Sequence, residues 1–169
     1  MKANIYPGRL EKPDWNNIDC ISRNRLPPHA YLVQFPDLAS CQHAASGNQR
    51  HVSPYVFLLN GQWSHVTFPS ISRLPENILS MRSGFHSCIL PSSFQMAVHD
   101  RLVDSSRVYP FPVTPPRIPD DVPVGVFRRN VRLPLVLGGL RKRIVFQGVH
   151  SAFHLFVNGK QAGYSEGGR

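Results

Sequence analysis

Short apolar runs separated by turn-forming residues dominate the second half of the chain. In residues 151–157, apolar side chains occupy every second position, and Asn158-Gly159 follows directly. Such alternation is typical of a strand, and Asn-Gly is the favoured pair for a two-residue type I′ turn. The pattern predicts a β-hairpin whose second strand covers residues 161–164.

Several other segments also have strand character. Asn60-Gly61 separates two of them and predicts a second hairpin, while Leu137-Gly138-Gly139 predicts a turn before the last one. Residues 37–43 form the only stretch with weak helical character. The predicted strands cover residues 56–59, 63–68, 87–90, 124–133 and 143–146.

Composition favours an all-β fold of one domain. The chain has 169 residues, 41% of them apolar, with sixteen prolines, twelve glycines and only 17% charged residues. Long helices are disfavoured by this balance, and many short strands between turns predict a sandwich or jelly roll. Residues 1–47 lack strand or helix periodicity and predict an extended segment, which leaves residues 48–169 as the domain. Residues 108–123 contain six prolines and predict a rigid loop.

The formal net charge of +9 and the pI near 10.1 raise the question of an anionic partner. The basic residues are scattered, with the densest cluster at residues 141–143, and nucleic-acid binding is therefore disfavoured. The first twenty residues contain no signal-like apolar run, and no apolar stretch is long enough for a membrane span. We expect no membrane association and a cytoplasmic location.

The sequence gives little support for a metal site or for a catalytic nucleophile. Cys20, Cys41 and Cys88 are odd in number and form no CxxC pair, which predicts neither a disulfide framework nor a zinc site. No HxH pair occurs, and no GxSxG elbow is present. His150 and His154 are four residues apart, but along a strand this spacing puts them about 13 Å apart, too far for one metal. The eight histidines are His29, His43, His51, His65, His86, His99, His150 and His154.

Five groups of residues, in collinear order, resemble the amino-terminal region of β-galactosidases of glycoside hydrolase family 2. The last group is the strongest, because it includes the predicted hairpin. The matching residues are 24–31, 59–63, 90–96, the prolines of residues 109–119, and 146–159 continued by 163–165.

This resemblance implies a jelly-roll, galactose-binding-like β-sandwich that is incomplete at its C-terminus. In the family, two glutamates on a separate (β/α)₈ barrel perform hydrolysis of terminal β-D-galactose residues. Glu11, Glu76 and Glu166 match neither of these two catalytic glutamates, so the resemblance implies that this chain alone is inactive. It also implies that magnesium and sodium belong to the full-length enzyme, that no cofactor is bound here, and that the partners are the remaining hydrolase domains or further copies.

One substrate-binding residue follows from the resemblance. Thr114 stands where the family has an asparagine that reaches the galactose site, and a hydroxyl offers fewer hydrogen bonds than an amide. Trp63 is interpreted as a core residue with a sugar platform as the alternative, and Tyr109 and Phe111 as candidate contacts in the rigid loop.

Two alternatives to a β-galactosidase module stay open. The basic charge also suits a free-standing carbohydrate- or polyanion-binding β-sandwich. Departures from the family motifs, such as Phe94 in place of tryptophan, also suit a non-functional gene remnant.

Overall fold

A computed structural model describes residues 13–47, 49–93, 114, 117–119 and 122–167. These residues form six strands in two antiparallel sheets and one α-helix. The all-β prediction is confirmed. The elements are β1 (Ser22–Arg23), α1 (Leu38–Ser46), β2 (Gly61–Phe68), β3 (His86–Leu90), β4 (Val124–Arg128), β5 (Ala152–Val157) and β6 (Lys160–Glu166).

The first sheet has the strand order β1-β6-β5 and is built around the predicted hairpin. Asn158 and Gly159 have φ values of 51° and 76°, which are the left-handed values that a type I′ turn requires. The hairpin prediction is therefore confirmed. On its other edge β6 pairs with β1, which places Ser22 opposite Ser165 and Arg23 opposite Tyr164.

The second sheet has the strand order β3-β2-β4, with β2 in the centre. Residues 61–65 of β2 pair with β3, and residues 64–68 pair with β4. Because strand side chains alternate between faces, Trp63, His65 and Thr67 lie on one face of this sheet. The strand predicted at residues 87–90 is confirmed as β3.

The second predicted hairpin is wrong. Residues 56–59 are not a strand, and Gly61 begins β2, where it pairs with Leu90 of β3. Two side chains occupy the backbone carbonyls that a hairpin would use. The Trp63 indole donates to the Leu59 carbonyl at 2.7 Å, and Arg129 Nη1 donates to the carbonyls of Leu59 and Asn60 at 2.6 and 2.8 Å.

Two further strand predictions need correction. The strand predicted at residues 124–133 ends at Arg128, and residues 143–146 form no strand. The latter residues are exposed, and no described strand pairs with them. A β-prone segment becomes a strand only when a ladder partner satisfies its backbone, so propensity alone misled the prediction.

The described part of the N-terminal segment, residues 13–47, is joined to the hairpin sheet through β1. The α-helix α1 begins after Asp37, whose side chain caps it by accepting a hydrogen bond from the Ser40 amide at 2.7 Å. The weak helical prediction at residues 37–43 is thus confirmed, although the helix extends to Ser46. The boundary between residues 1–47 and 48–169 stays a prediction.

Few apolar residues are buried among the described residues, namely Ala44, Ile78, Leu137 and Tyr164. In contrast, residues 131–146, which we call the apolar arm, expose most of their aliphatic side chains. Leu135 is 97% exposed and Val145 is 60% exposed. Phe146, the arm's aromatic residue, contacts Phe153 of β5 with 4.7 Å between the ring centroids. The arm therefore exposes many apolar side chains to solvent, although Leu137 within it is buried.

Candidate functional site

A buried carboxylate lies at the junction of the N-terminal segment and the hairpin sheet. Asp14 is 4% exposed and accepts hydrogen bonds from Arg23 Nε at 2.9 Å and Arg23 Nη2 at 2.7 Å. Its other contacts are His154 Nε2 at 3.3 Å and the Cys20 thiol at 3.6 Å. We call these four residues the Asp14 cluster. They join β1 and β5, which lie on opposite edges of the same sheet.

Aromatic rings enclose the cluster. The His154 ring lies 4.5 Å from the Tyr164 ring and 5.9 Å, edge-on, from the Trp15 ring. Tyr164 is 2% exposed, and its hydroxyl donates to Glu166 at 2.9 Å. The buried Asp14 charge is paired with Arg23 and hydrogen-bonded by His154, as a buried charge requires.

The ionisation of the cluster argues against nucleophilic chemistry. Hydrogen bonds from Arg23 hold the pKa of Asp14 below its ordinary value. Burial raises the pKa of the Cys20 thiol, and burial together with the bond to Glu166 raises the pKa of Tyr164 far above its usual range. A nucleophilic thiol requires a depressed pKa. The arrangement therefore stabilises the fold and provides no activated nucleophile.

Burial also holds the pKa of His154 below its ordinary value of 6.5, although Asp14 opposes the shift. The unfolded chain therefore takes up a proton on this ring at a higher pH than the folded chain does. We expect the free energy of unfolding to fall as the pH drops below about 6.5 and to level off below the folded pKa. His154→Gln should flatten this slope in urea titrations between about pH 7.5 and 5. A matched His29→Gln substitution, at an exposed position, is the control; an equal flattening by both would contradict the assignment.

Thr114, the predicted substrate-binding residue, is exposed at a tight turn. Its carbonyl accepts a hydrogen bond from the Arg117 amide at 2.9 Å. Nearby in the chain, the Ile118 amide donates to the Asn16 side chain at 2.8 Å. Ile118 is thus bonded to a residue two positions from Asp14. The role of Thr114 in substrate binding stays a prediction.

Trp63 is half-buried on β2, and its indole N–H is already bonded to the Leu59 carbonyl. A sugar platform needs an open aromatic face more than a donor, so this contact favours the structural interpretation without deciding it. Tyr109, Phe111 and Phe94 lie outside the described residues. Sequence reasoning missed the Asp14 cluster, because its members are up to 140 residues apart.

The described residues show two further absences. They contain no group of three or more histidine, cysteine, aspartate or glutamate side chains arranged to hold a metal ion. No described helix has the length and apolar character that a bilayer crossing needs. Cys20, Cys41 and Cys88 form no disulfide in the part of the chain that the structure describes.

A comparison with known families identifies the class. Residues 56–169 match the sugar binding domain of glycosyl hydrolases family 2. The chain belongs to this family, and the predicted resemblance is confirmed.

Individual members of the family are also similar to this chain. The chain is 33% identical to a beta-galactosidase of Alteromonas mediterranea over 162 residues, which cover 92% of this chain and 15% of that protein. It is likewise 33% identical to a beta-galactosidase of Psychromonas ingrahamii, and 34% identical to one of Yersinia enterocolitica, each over 163 residues, 95% of this chain and 15% of theirs. The chain thus spans about 15% of the length of these relatives, and its residues correspond to a non-catalytic part of them.

Proposed function

We propose that the chain is the amino-terminal, non-catalytic module of a β-galactosidase, which supports hydrolysis of terminal β-D-galactose residues by a separate domain. The match of residues 56–169 to the family's sugar binding domain carries this proposal. The module's own role is to shape one side of the active-site entrance and to support packing of domains or subunits. Magnesium and sodium are assigned to the catalytic part, and the location is proposed to be cytoplasmic.

Two hydrogen bonds beside Thr114 support the role at the active-site entrance. Thr114 is exposed, its carbonyl accepts a hydrogen bond from the Arg117 amide, and the Ile118 amide donates to the Asn16 side chain. A residue beside such fixed points can contact another domain at low entropic cost. With one hydroxyl in place of the family amide, Thr114 offers the sugar a single donor and no second acceptor group.

The apolar arm supports the role in packing. Eight apolar residues of the arm are at least 42% exposed, and a concentration of exposed apolar residues is typical of an interaction site in soluble proteins. Arg141, Lys142 and Arg143 lie within the arm, so its partner surface should be apolar with acidic residues at the rim. We assign the arm to contacts with the remaining domains of the hydrolase.

The direct test is an assay of the purified 169-residue chain on a nitrophenyl β-galactoside. We expect no release of nitrophenol above the buffer rate, because the paired carboxylates of glycoside hydrolysis are not assigned to this chain. Activity that tracks the pure protein through two chromatographic steps would overturn the proposal. A full-length relative of the family serves as the positive control.

The basic charge favours one second candidate, a polyanion-binding sandwich. A net charge of +9 attracts sulfated polysaccharides non-specifically. Retention on heparin discriminates between the two functions. Binding that falls steeply with salt indicates counterion release from a polyanion, whereas a site for a neutral sugar is nearly insensitive to salt.

A further inference from the structure

Two histidines face each other across neighbouring strands of the second sheet. His65 of β2 is the direct partner of His86 of β3 in the antiparallel register, and their ring centroids are 6.0 Å apart. On its other side, the His65 ring stacks on Phe127 of β4 at 5.9 Å. The pair lies on the face that also carries Trp63 and Thr67.

His65 is a buried polar side chain with an unmet hydrogen-bonding requirement. It is 6% exposed, and its Nδ1 atom has no hydrogen-bond partner among the described residues. The hydroxyl of Thr67, two residues along the same face, is buried without a partner as well. Buried polar atoms of this kind are costly and call for an explanation such as an ion or a water.

From these observations we infer that His65 and His86 form a two-histidine binding site for a divalent transition-metal ion such as Zn²⁺. With Zn–N bonds of about 2.1 Å, two imidazoles on one ion have ring centroids about 5 to 6 Å apart, which the observed separation matches. Imidazole nitrogens suit zinc, copper and nickel, and disfavour magnesium and calcium. His86 is exposed, so the ion can exchange with solvent and complete its coordination with water.

The surroundings allow an ion at this place. Arg128 lies on the opposite face, where its guanidinium sits 4.0 Å above the Phe85 ring and donates to the Met81 carbonyl. Cys88 is the next residue on the histidine face, but the described residues contain no group of three or more histidine, cysteine, aspartate or glutamate side chains arranged to hold a metal ion. We therefore assign His65 and His86 as the two protein ligands. A site with two ligands binds reversibly, unlike a closed structural site.

The test is titration of the full 169-residue chain with zinc chloride, followed by calorimetry and by thermal unfolding. We expect one bound zinc ion per chain and a rise in the melting temperature of several degrees at saturation, because the ion binds the folded state. His86→Gln and His65→Phe should each weaken zinc binding by about tenfold or more. Loss of a residue that only orients a metal ligand already weakens metal affinity about tenfold or more, and each of these histidines is itself a ligand.

His51→Gln is the matched control, because His51 is exposed and belongs to neither strand. It should bind zinc with the affinity of the parent. If His65→Phe does not fold, His86→Gln decides the matter, because its side chain is exposed and its loss leaves the sheet intact. No zinc binding by the parent, or unchanged affinity in His86→Gln, would overturn the inference.

Discussion

Replacing Asp14 with alanine is expected to lower the free energy of unfolding by about 2 to 3 kcal/mol. The carboxylate accepts two hydrogen bonds from Arg23 and one from His154, and its removal leaves the half-buried imidazole without this acceptor. Breaking a buried ion pair can cost more, but the Arg23 side chain is 50% exposed and water resolvates its charge. Urea titration at neutral pH measures the loss.

Asp19 provides the matched control, because it is exposed and lies in the same segment. Asp19→Ala should change the free energy of unfolding by less than about 0.5 kcal/mol. Equal losses in the two variants would show that the effect comes from the segment's net charge and not from the cluster.

The same substitution should also release the N-terminal segment. β1 contributes only Ser22 and Arg23 to the ladder, and Asn24 and Arg25 add hydrogen bonds to the Ala162 carbonyl and the Ser165 hydroxyl. With so few bonds, loss of the Asp14 contacts removes a large part of what holds the segment in place. We therefore expect faster amide hydrogen exchange in residues 20–25 of Asp14→Ala, while β2 and β3 keep the exchange rates of the parent. Uniform acceleration throughout the chain would instead indicate global destabilisation.

Local features of the fold could be predicted from the sequence. The turn at Asn158-Gly159 depends on two residues that adopt positive φ readily, and the flanking alternation fixes which face each side chain occupies. The Asp37 cap of α1 is similarly local. These features needed no knowledge of distant contacts.

Which strands pair with each other could not be predicted from the sequence. Asn60-Gly61 is the same dipeptide as in the confirmed turn, but β2 pairs with β3 and β4. The Leu59 carbonyl accepts hydrogen bonds from Trp63, four residues away, and from Arg129, 70 residues away. Residues 143–146 have strand composition without a strand partner. Identical local signals thus lead to different outcomes, depending on which backbone groups are still free.

The candidate sites depend on register even more strongly. Asp14 meets His154 across 140 residues of sequence, and His65 meets His86 only because β2 and β3 pair in one particular register. A shift by one residue would send each side chain to the opposite face. No spacing within a single segment signals either pair. By contrast, the family resemblance rests on the order of five motifs along the chain. That order can be seen in the sequence without knowing which strands pair.

The isolated chain is expected to self-associate through the apolar arm, and the double substitution Leu135→Gln with Val145→Thr should weaken this association by tenfold or more. Each large aliphatic side chain that is removed from water contributes about 1.5 to 3 kcal/mol, and a tenfold change in affinity corresponds to about 1.4 kcal/mol. Leu135 is 97% exposed and Val145 is 60% exposed, so burial against a second molecule is available to both. Sedimentation velocity over a range of protein concentrations measures the change.

Leu32 supplies the control, because it is 81% exposed but lies outside the arm. Leu32→Gln should leave the concentration dependence of sedimentation unchanged, since a single exposed apolar residue is normal on a protein surface. A parent chain that is monomeric throughout the concentration range would contradict the prediction, as would a double variant that sediments like the parent. If the arm instead packs against the remaining domains of a hydrolase, the full-length parent and its double variant should differ in stability and not in self-association.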